Sequence, residues 1–313
     1  MVLTPSETVE LLGANAHWKL TGGYLDNCEC AILTPSNRGV VASHLEAISD
    51  SMKYPLGHDT VALAMNYFDR YMQSVLCKDP QSVTSALMQS VAVTCLFIAS
   101  KYHCTNYLPL STLEGLSRDS HDHGFNELVA SDFKDLELRI LGALEWKIHV
   151  CIPHTFVSVI SGVCELNAAE ERVRKRWLDV LDVAVFSYEL VAFHPCVVSS
   201  ASLLLSWAWQ ACEKSSDRIR RCEPRLARLS SITRRCLRDC VALLIVELCR
   251  LCPWGGCASD YALLKATIDR SSALSKRFYE YSCHGDDVWP CQHQQDSHAY
   301  ADQSESETDG TAW

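Results

Sequence analysis

Lys101 and Glu137 are two charged residues set against apolar surroundings. Lys101 closes a run, residues 82–103, that is apolar nearly all round, with Val83, Leu87, Val91, Cys95 and Ile98 on one side and Ala86, Val93, Leu96 and Phe97 on others. Glu137 lies four residues from both Phe133 and Leu141, on the flank of another apolar stripe. On spacing alone, Lys101 is a cation favoured by a helix C-terminal dipole, worth about 0.3–1 kcal/mol, and Glu137 is a solvated flank. Asp69 raises a sharper question. It stands between Met65 and Met72 at helical spacing, beside Tyr67, Phe68 and Tyr71. A carboxylate there loses its hydration unless a cation and hydrogen bonds compensate. Arg38 is its expected partner.

The elements that must hold these charges read as helices. Ser36 could cap a first helix whose buried stripe is Val41, Leu45, Ile48 and Met52, before a break at Pro55 and Gly57. Asp59 could cap a second, with Val61, Met65, Phe68, Met72 and Val75 inward. The third helix, 82–103, lacks a polar face, so other helices must surround it. Ser111 to Glu114 has capping-box spacing for a short fourth helix. A fifth runs from about Leu128 to Trp146, with Phe133, Leu136, Ile140 and Leu144 on its core side.

Pro153 opens a second set, with candidates at 154–166, 169–191, 195–213 and 229–251. Val197 to Trp209 is again nearly all apolar. The second half therefore repeats the pattern of the first. The expected fold is all-α, with two tandem five-helix-type bundles, the first built on a buried third helix. The expected divisions are an N-terminal segment (1–35), a first bundle (36–152), a second bundle (153–283) and a disordered acidic tail (284–313). The tail carries no Lys or Arg, and Ser304 and Ser306, each followed by a glutamate, are candidate phosphorylation sites.

Several classes are argued against. The chain has 313 residues, 48% hydrophobic and 21% charged, with 38 acids against 28 Lys and Arg and a net charge of −10. That acidity does not suit a general nucleic-acid binder. No basic leader precedes an apolar run, and no apolar stretch reaches about 18 residues, so neither secretion nor a membrane span is expected. Most of the 17 cysteines, among them Cys95, Cys164, Cys212, Cys236 and Cys240, read as reduced core thiols. Cys249, Cys252 and Cys257 invite a metal reading, but the second ligand pair is irregular, so no metal is expected. Neither a Gly-rich phosphate loop nor a nucleophile elbow occurs. The expectation is a non-enzyme without cofactors. One basic stretch, 214–238, sets nine cations against Asp217 and Glu223. It reads as a solvated loop and helix face, or as a docking patch for an acidic partner or for nucleic acid.

Four pieces of the chain, in order, resemble one family. Asn66-Tyr67-Phe68-Asp69-Arg70-Tyr71 resembles the second helix of the cyclin box. Thr94-Cys95-Leu96-Phe97-Ile98-Ala99-Ser100-Lys101-Tyr102 resembles its third, in the wording of D-type cyclins. Leu136-Glu137-Leu138 with Leu144-Glu145-Trp146-Lys147-Ile148 resembles the fifth, and Asn37-Arg38-Gly39-Val40-Val41 stands at the start of the first. The resemblance implies a regulatory subunit that binds and activates a cyclin-dependent Ser/Thr kinase catalytic subunit and controls cell-cycle progression. It implies that Arg38 and Asp69 pair to fix the first helix against the second. It also implies that Lys101 and Glu137 contact the kinase beside its mobile regulatory helix. The alternative is a cyclin-fold adaptor or transcription-machinery component that activates no kinase. The expected location is nucleus, cytoplasm or both.

Three departures accompany the resemblance. Ser90 replaces a usual Leu, and His103-Cys104 follow the lysine where many cyclins carry acids. The substrate-docking groove, whose Met, Leu and Trp positions fall on Asn37, Val41 and His44, keeps a polar match at Gln89 but lacks the large anchors. Weak or altered binding of Arg-x-Leu substrate motifs is expected.

Overall fold

The computed structural model describes residues 24–26, 30–119, 129–209, 213–229 and 233–251. Its described residues form α-helices and short 3-10 turns, with no strand among them. The expected 284–313 tail, Cys212 and residues 252–293 of the cysteine-rich stretch lie outside the described residues.

In the first half, α1 is Pro35–Ser51, α2 His58–Leu76, α3 Ser85–His103, α4 Leu110–Asp119 and α5 Ala130–Ala143. Thr34, not Ser36, caps α1: its side chain accepts from the Asn37 amide at 3.1 Å. Pro35 fits the first helical position, where its missing N–H is no loss. Gly57, not Asp59, is the N-cap of α2, and Asp59 accepts from the Thr60 amide inside the first turn. Thr84 caps α3 at Leu87, and a 3-10 turn at Pro80–Ser82 takes the place of the helix start expected at 82.

Helix α3 runs through the middle of the first core, and every residue from Ser90 to Ser100 is buried. Its hydroxyls satisfy themselves locally. Ser90 donates to the Ala86 carbonyl and Thr94 to the Ser90 carbonyl, each at 2.7 Å. Ser90 thus fits where a leucine was expected, by bonding backwards along its own helix. Phe68, Met72, Phe133 and Ile140 close around α3 with no exposed surface.

Helix α5 ends at Ala143, short of the expected Trp146. Glu145 and Trp146 take left-handed conformations, φ 54° and 59°. The Trp146 amide reaches back to the Leu141 carbonyl at 2.8 Å, which closes the helix end. Trp146 is left 64% exposed.

In the second half, α6 is Val157–Val163, α7 Glu171–Phe186, α8 Pro195–Trp209, α9 Glu213–Leu229 and α10 Arg234–Leu251. All residues of α8 from Cys196 to Trp209 are buried, so it takes the central place that α3 takes in the first half. Trp177 of α7 is fully buried and donates from Nε1 to the Ser199 carbonyl at 2.8 Å. Trp177→Ala should therefore cost about 3–5 kcal/mol, read as a lowered midpoint in denaturant unfolding. The main difference from expectation is α9. Residues 213–229, expected as a loop with a helical face, form a full helix that contains Pro224. Among the described residues, no helix is long and apolar enough to cross a membrane.

Candidate functional site

Helices α3 and α5 pack together, and their packing brings Lys101 and Glu137 side by side as an ion pair. Lys101 occupies the last turn of α3, where its charge suits the helix dipole. Its ammonium lies 4.2 Å from the Phe97 ring centroid, one turn earlier, a cation–π contact. Phe133, Leu136 and Ile140 bury the inner side of α5, which sets Glu137 at the rim next to α3. The two side chains are 35% and 15% exposed. A half-exposed pair of this kind contributes only about 0–1 kcal/mol to stability. The ammonium carries three N–H donors and the carboxylate several acceptor sites. One ion pair does not exhaust them, so both groups can still engage an incoming partner.

Aromatic side chains lie on the Lys101 side of the pair. A cleft lined by Met52, Tyr54, Phe97, Lys101 and Tyr107 opens beside it. Tyr54 and Tyr107 are 59% and 54% exposed. Leu138, next to Glu137, is 58% exposed. Tyrosine and methionine are enriched at protein interfaces relative to the rest of the surface. Sequence reasoning missed Tyr54 and Tyr107. The only signal was that each stands next to or near a proline break, where a chain turns outward.

The His103-Cys104 departure has a structural account. His103 Nδ1 and the Thr60 hydroxyl lie 3.1 Å apart, and His103 Nε2 is 3.7 Å from Asp59. The Cys104 thiol also meets the Thr60 hydroxyl, at 3.3 Å. The two residues tie the end of α3 to the start of α2, behind Lys101.

Arg38 and Asp69 form a bidentate pair. Arg38 Nε donates to Asp69 Oδ1 and Nη2 to Oδ2, both at 2.8 Å, with the residues 3% and 1% exposed. Sequence reasoning missed two further partners. The Tyr24 hydroxyl donates to Asp69 Oδ1 at 2.8 Å, and Arg38 Nη1 donates to the Val185 carbonyl of α7 at 2.9 Å. Burial lowers the Arg38 pKa, but the Asp69 carboxylate more than offsets it and the net shift is upward. The pair therefore fastens α1 to α2 and also to the second half of the chain. Tyr188 reinforces that junction by accepting from the Leu25 amide at 2.7 Å.

The groove residues give little for a peptide to hold. Asn37 uses its side-chain amide on the Ile32 carbonyl at 2.6 Å, and Val41 is buried. His44 is half-buried, and burial lowers its pKa. Gln89 Oε1 is buried without a partner. No large apolar anchor stands among these four positions, and such anchors usually dominate peptide affinity. In a fluorescence-polarisation titration, an Arg-x-Leu peptide should bind this chain at least about tenfold more weakly than it binds a cyclin that keeps Met and Trp there. Equal affinity would contradict this reading of the groove.

Among the described residues, four of the nine cations of the basic stretch 214–238 form ion pairs within the chain. Arg218 pairs with Glu170 at 2.8 Å, Arg225 with Glu165 at 3.0 Å and Arg238 with Glu223 at 2.6 Å, while Arg220 pairs with Asp217. Asp217 and Glu223 belong to the stretch itself, so the carboxylates that reach it from outside, Glu165 and Glu170, offset only part of its surplus. Of the cysteines expected as core thiols, Cys95, Cys164 and Cys240 are buried, and Cys236 is half-buried.

Two stacked helical bundles, each wound on a buried apolar helix, define a protein of the cyclin-fold class. Residues 23–149 match the family model for the cyclin N-terminal domain. G1/S-specific cyclin-D1 of Pongo abelii is 25% identical over 208 residues, covering 66% of this chain and 65% of its own length. G2/mitotic-specific cyclin-B2 of Rana japonica is 24% identical over 186 residues, covering 58% of this chain and 41% of its own. The chain thus spans about two-fifths to two-thirds of the length of these relatives. The X-ray structure of a viral cyclin from herpesvirus saimiri shares the fold, with TM-score 0.57 and 18% identity over 88% of this chain and 99% of that one. These matches identify residues 23–149 as similar to the cyclin N-terminal domain.

Proposed function

We propose that this chain is a non-enzymatic regulatory subunit that binds a cyclin-dependent Ser/Thr kinase catalytic subunit and activates it, acting in cell division in the nucleus, the cytoplasm or both. The observation that carries the reading is the Lys101–Glu137 pair at the rim of two packed helices, beside an aromatic cleft. Lys101 and Glu137 are the proposed kinase contacts. Arg38 and Asp69 are the proposed supports that fix the body behind them. The proposed domains are a first bundle at 36–152 and a second at 153–283.

The mechanism follows from rigidity. A kinase whose regulatory helix moves between two positions lacks, in one of them, the Lys–Glu ion pair that phosphoryl transfer needs. A preformed surface that fits only the inward position stabilises that position by the difference in its affinity for the two. Turning a population from about 1:99 to 99:1 takes roughly a 10⁴-fold difference, about 5.5 kcal/mol. A face held by a central helix buried from Ser90 to Ser100 gives up little of its binding energy to reordering itself.

The test is a pulldown with the full chain, followed by a Ser/Thr kinase assay on the captured material. Recovery of a cyclin-dependent kinase with raised activity is the expected result. Capture of partners without gained activity would favour the adaptor reading instead.

A further inference from the structure

The second bundle carries a row of cations that the proposed kinase face does not use. Arg221, Arg225 and Arg228 stand at i, i+4 and i+7 on α9, so they line one side of it. All three are exposed, while Leu226 and Ala227 on the other side are buried. The Arg238–Glu223 pair sets the first turns of α10 beside the second half of α9. Arg234 and Arg235 open α10, both exposed. No acid stands in the first turn of α10, so the positive end of the helix adds to their charge. Among the described residues, the ion pairs of this stretch involve Arg218, Arg220, Arg225 and Arg238, and none reaches Arg221, Arg228, Arg234 or Arg235. Arg221 and Arg228 each spend Nε on the carbonyl one turn earlier, of Asp217 and of Pro224, at 3.3 Å. A guanidinium has five N–H donors, so most of them stay open to a ligand.

A ligand of the opposite charge is present in the same chain. Residues 284–313 carry seven acids and no Lys or Arg, with Trp289, Tyr300 and Trp313 spread among them. A carboxylate takes two parallel N–H bonds from one guanidinium, and an aromatic ring stacks on its plane. The reach is sufficient. Helix α10 has 18 residues, so its end at Leu251 lies about 27 Å from its start. Residues 252–283 separate Leu251 from the acidic stretch, and a segment of that length spans up to about 105 Å. From these observations we infer that the acidic stretch 284–313 binds, within the same chain, to the arginine face formed by Arg221, Arg225, Arg228, Arg234 and Arg235. Attachment to one chain makes the encounter intramolecular, so contacts too weak to hold a free peptide suffice. The attraction is Coulombic and lies at an exposed surface, so salt weakens it. The acidic stretch thereby covers the face against anions from outside, nucleic acid included, and the net charge of −10 conceals a basic surface.

The test is the rate at which phenylglyoxal, a reagent for accessible guanidiniums, labels each arginine of the full-length chain, read by peptide mass spectrometry. At low salt, Arg221, Arg228, Arg234 and Arg235 should label at least about threefold more slowly than in a variant whose seven acids at 284–313 are changed to Asn or Gln. Sodium chloride at about 1 M, where the screening length falls to about 3 Å, should remove the difference. Arg139, exposed on α5, is the reference and should label equally in both chains. The buried Arg38 should stay unlabelled in both, which shows that the variant is folded. Equal labelling of the four arginines in the two chains at low salt would overturn the proposal. Protection that grows with protein concentration would overturn it as well, by giving the face to a second copy of the chain. Retention of the unsubstituted chain on immobilised duplex DNA at low salt would do the same, by giving the face to nucleic acid.

Discussion

Asp69→Ala should lower the stability of the chain by about 3–5 kcal/mol. The substitution would leave the Arg38 guanidinium 3% exposed with only the Val185 carbonyl in place of a carboxylate. The Tyr24 hydroxyl would lose its acceptor as well. A domain is typically stable by about 5–15 kcal/mol, so the loss is a large part of the whole. In a thermal melt it should appear as a fall on the order of ten degrees. The cost comes from the orphaned charge rather than from the value of the pair itself. Replacing both partners, as in Arg38→Met with Asp69→Leu, should therefore recover most of the stability lost in the single variant. A loss below about 1 kcal/mol for Asp69→Ala would mean that water reaches the guanidinium and the pair is not the fastener described.

The second large effect is expected at the other charge pair, with the opposite balance between folding and binding. Lys101→Ala with Glu137→Ala should change stability by less than about 1 kcal/mol, because the pair is half-exposed. Kinase affinity should nevertheless fall by at least about 30-fold, the scale of losing an interface hot spot of roughly 2 kcal/mol. The difference lies in solvation: water screens the pair in the free chain, and a partner would exclude that water. Circular dichroism and a binding titration on the same preparation separate the two effects. A melting point near that of the unsubstituted chain together with undiminished kinase binding would remove Lys101 and Glu137 from the interface.

The sequence revealed most where apolar spacing is unmixed. The stripes of Val41, Leu45 and Ile48, and of Met65, Phe68 and Met72, locate α1 and α2, and the unbroken apolar run of α3 requires a central position. Helix ends were less legible because neighbouring cap residues compete. Thr34 caps α1 although Ser36 stands two residues later, and the left-handed Glu145 and Trp146 stop α5 without a glycine to announce it. Helix α9 was hidden by its composition. Its inward residues Cys222 and Leu226 are diluted by arginines and Pro224, and the acids that neutralise those arginines, Glu165 and Glu170, lie some fifty residues earlier. Long-range partners were the hardest to read. Spacing placed Asp69 on a core edge and suggested Arg38, but nothing local pointed to Tyr24 or the Val185 carbonyl. Lys101 and Glu137 each looked like an ordinary flank. Only the family resemblance put them in one site, because no periodicity records which helix faces which.

The most direct test of the proposed kinase-binding surface is a hydrogen-exchange footprint of the chain with and without a cyclin-dependent kinase catalytic subunit. The expected result is protection concentrated at residues 97–107 and 134–141, around Lys101, Tyr107 and Glu137, with residues 213–229 unchanged. A complex whose protection falls on other helices, leaving both of those segments as exposed as in the free chain, would contradict it.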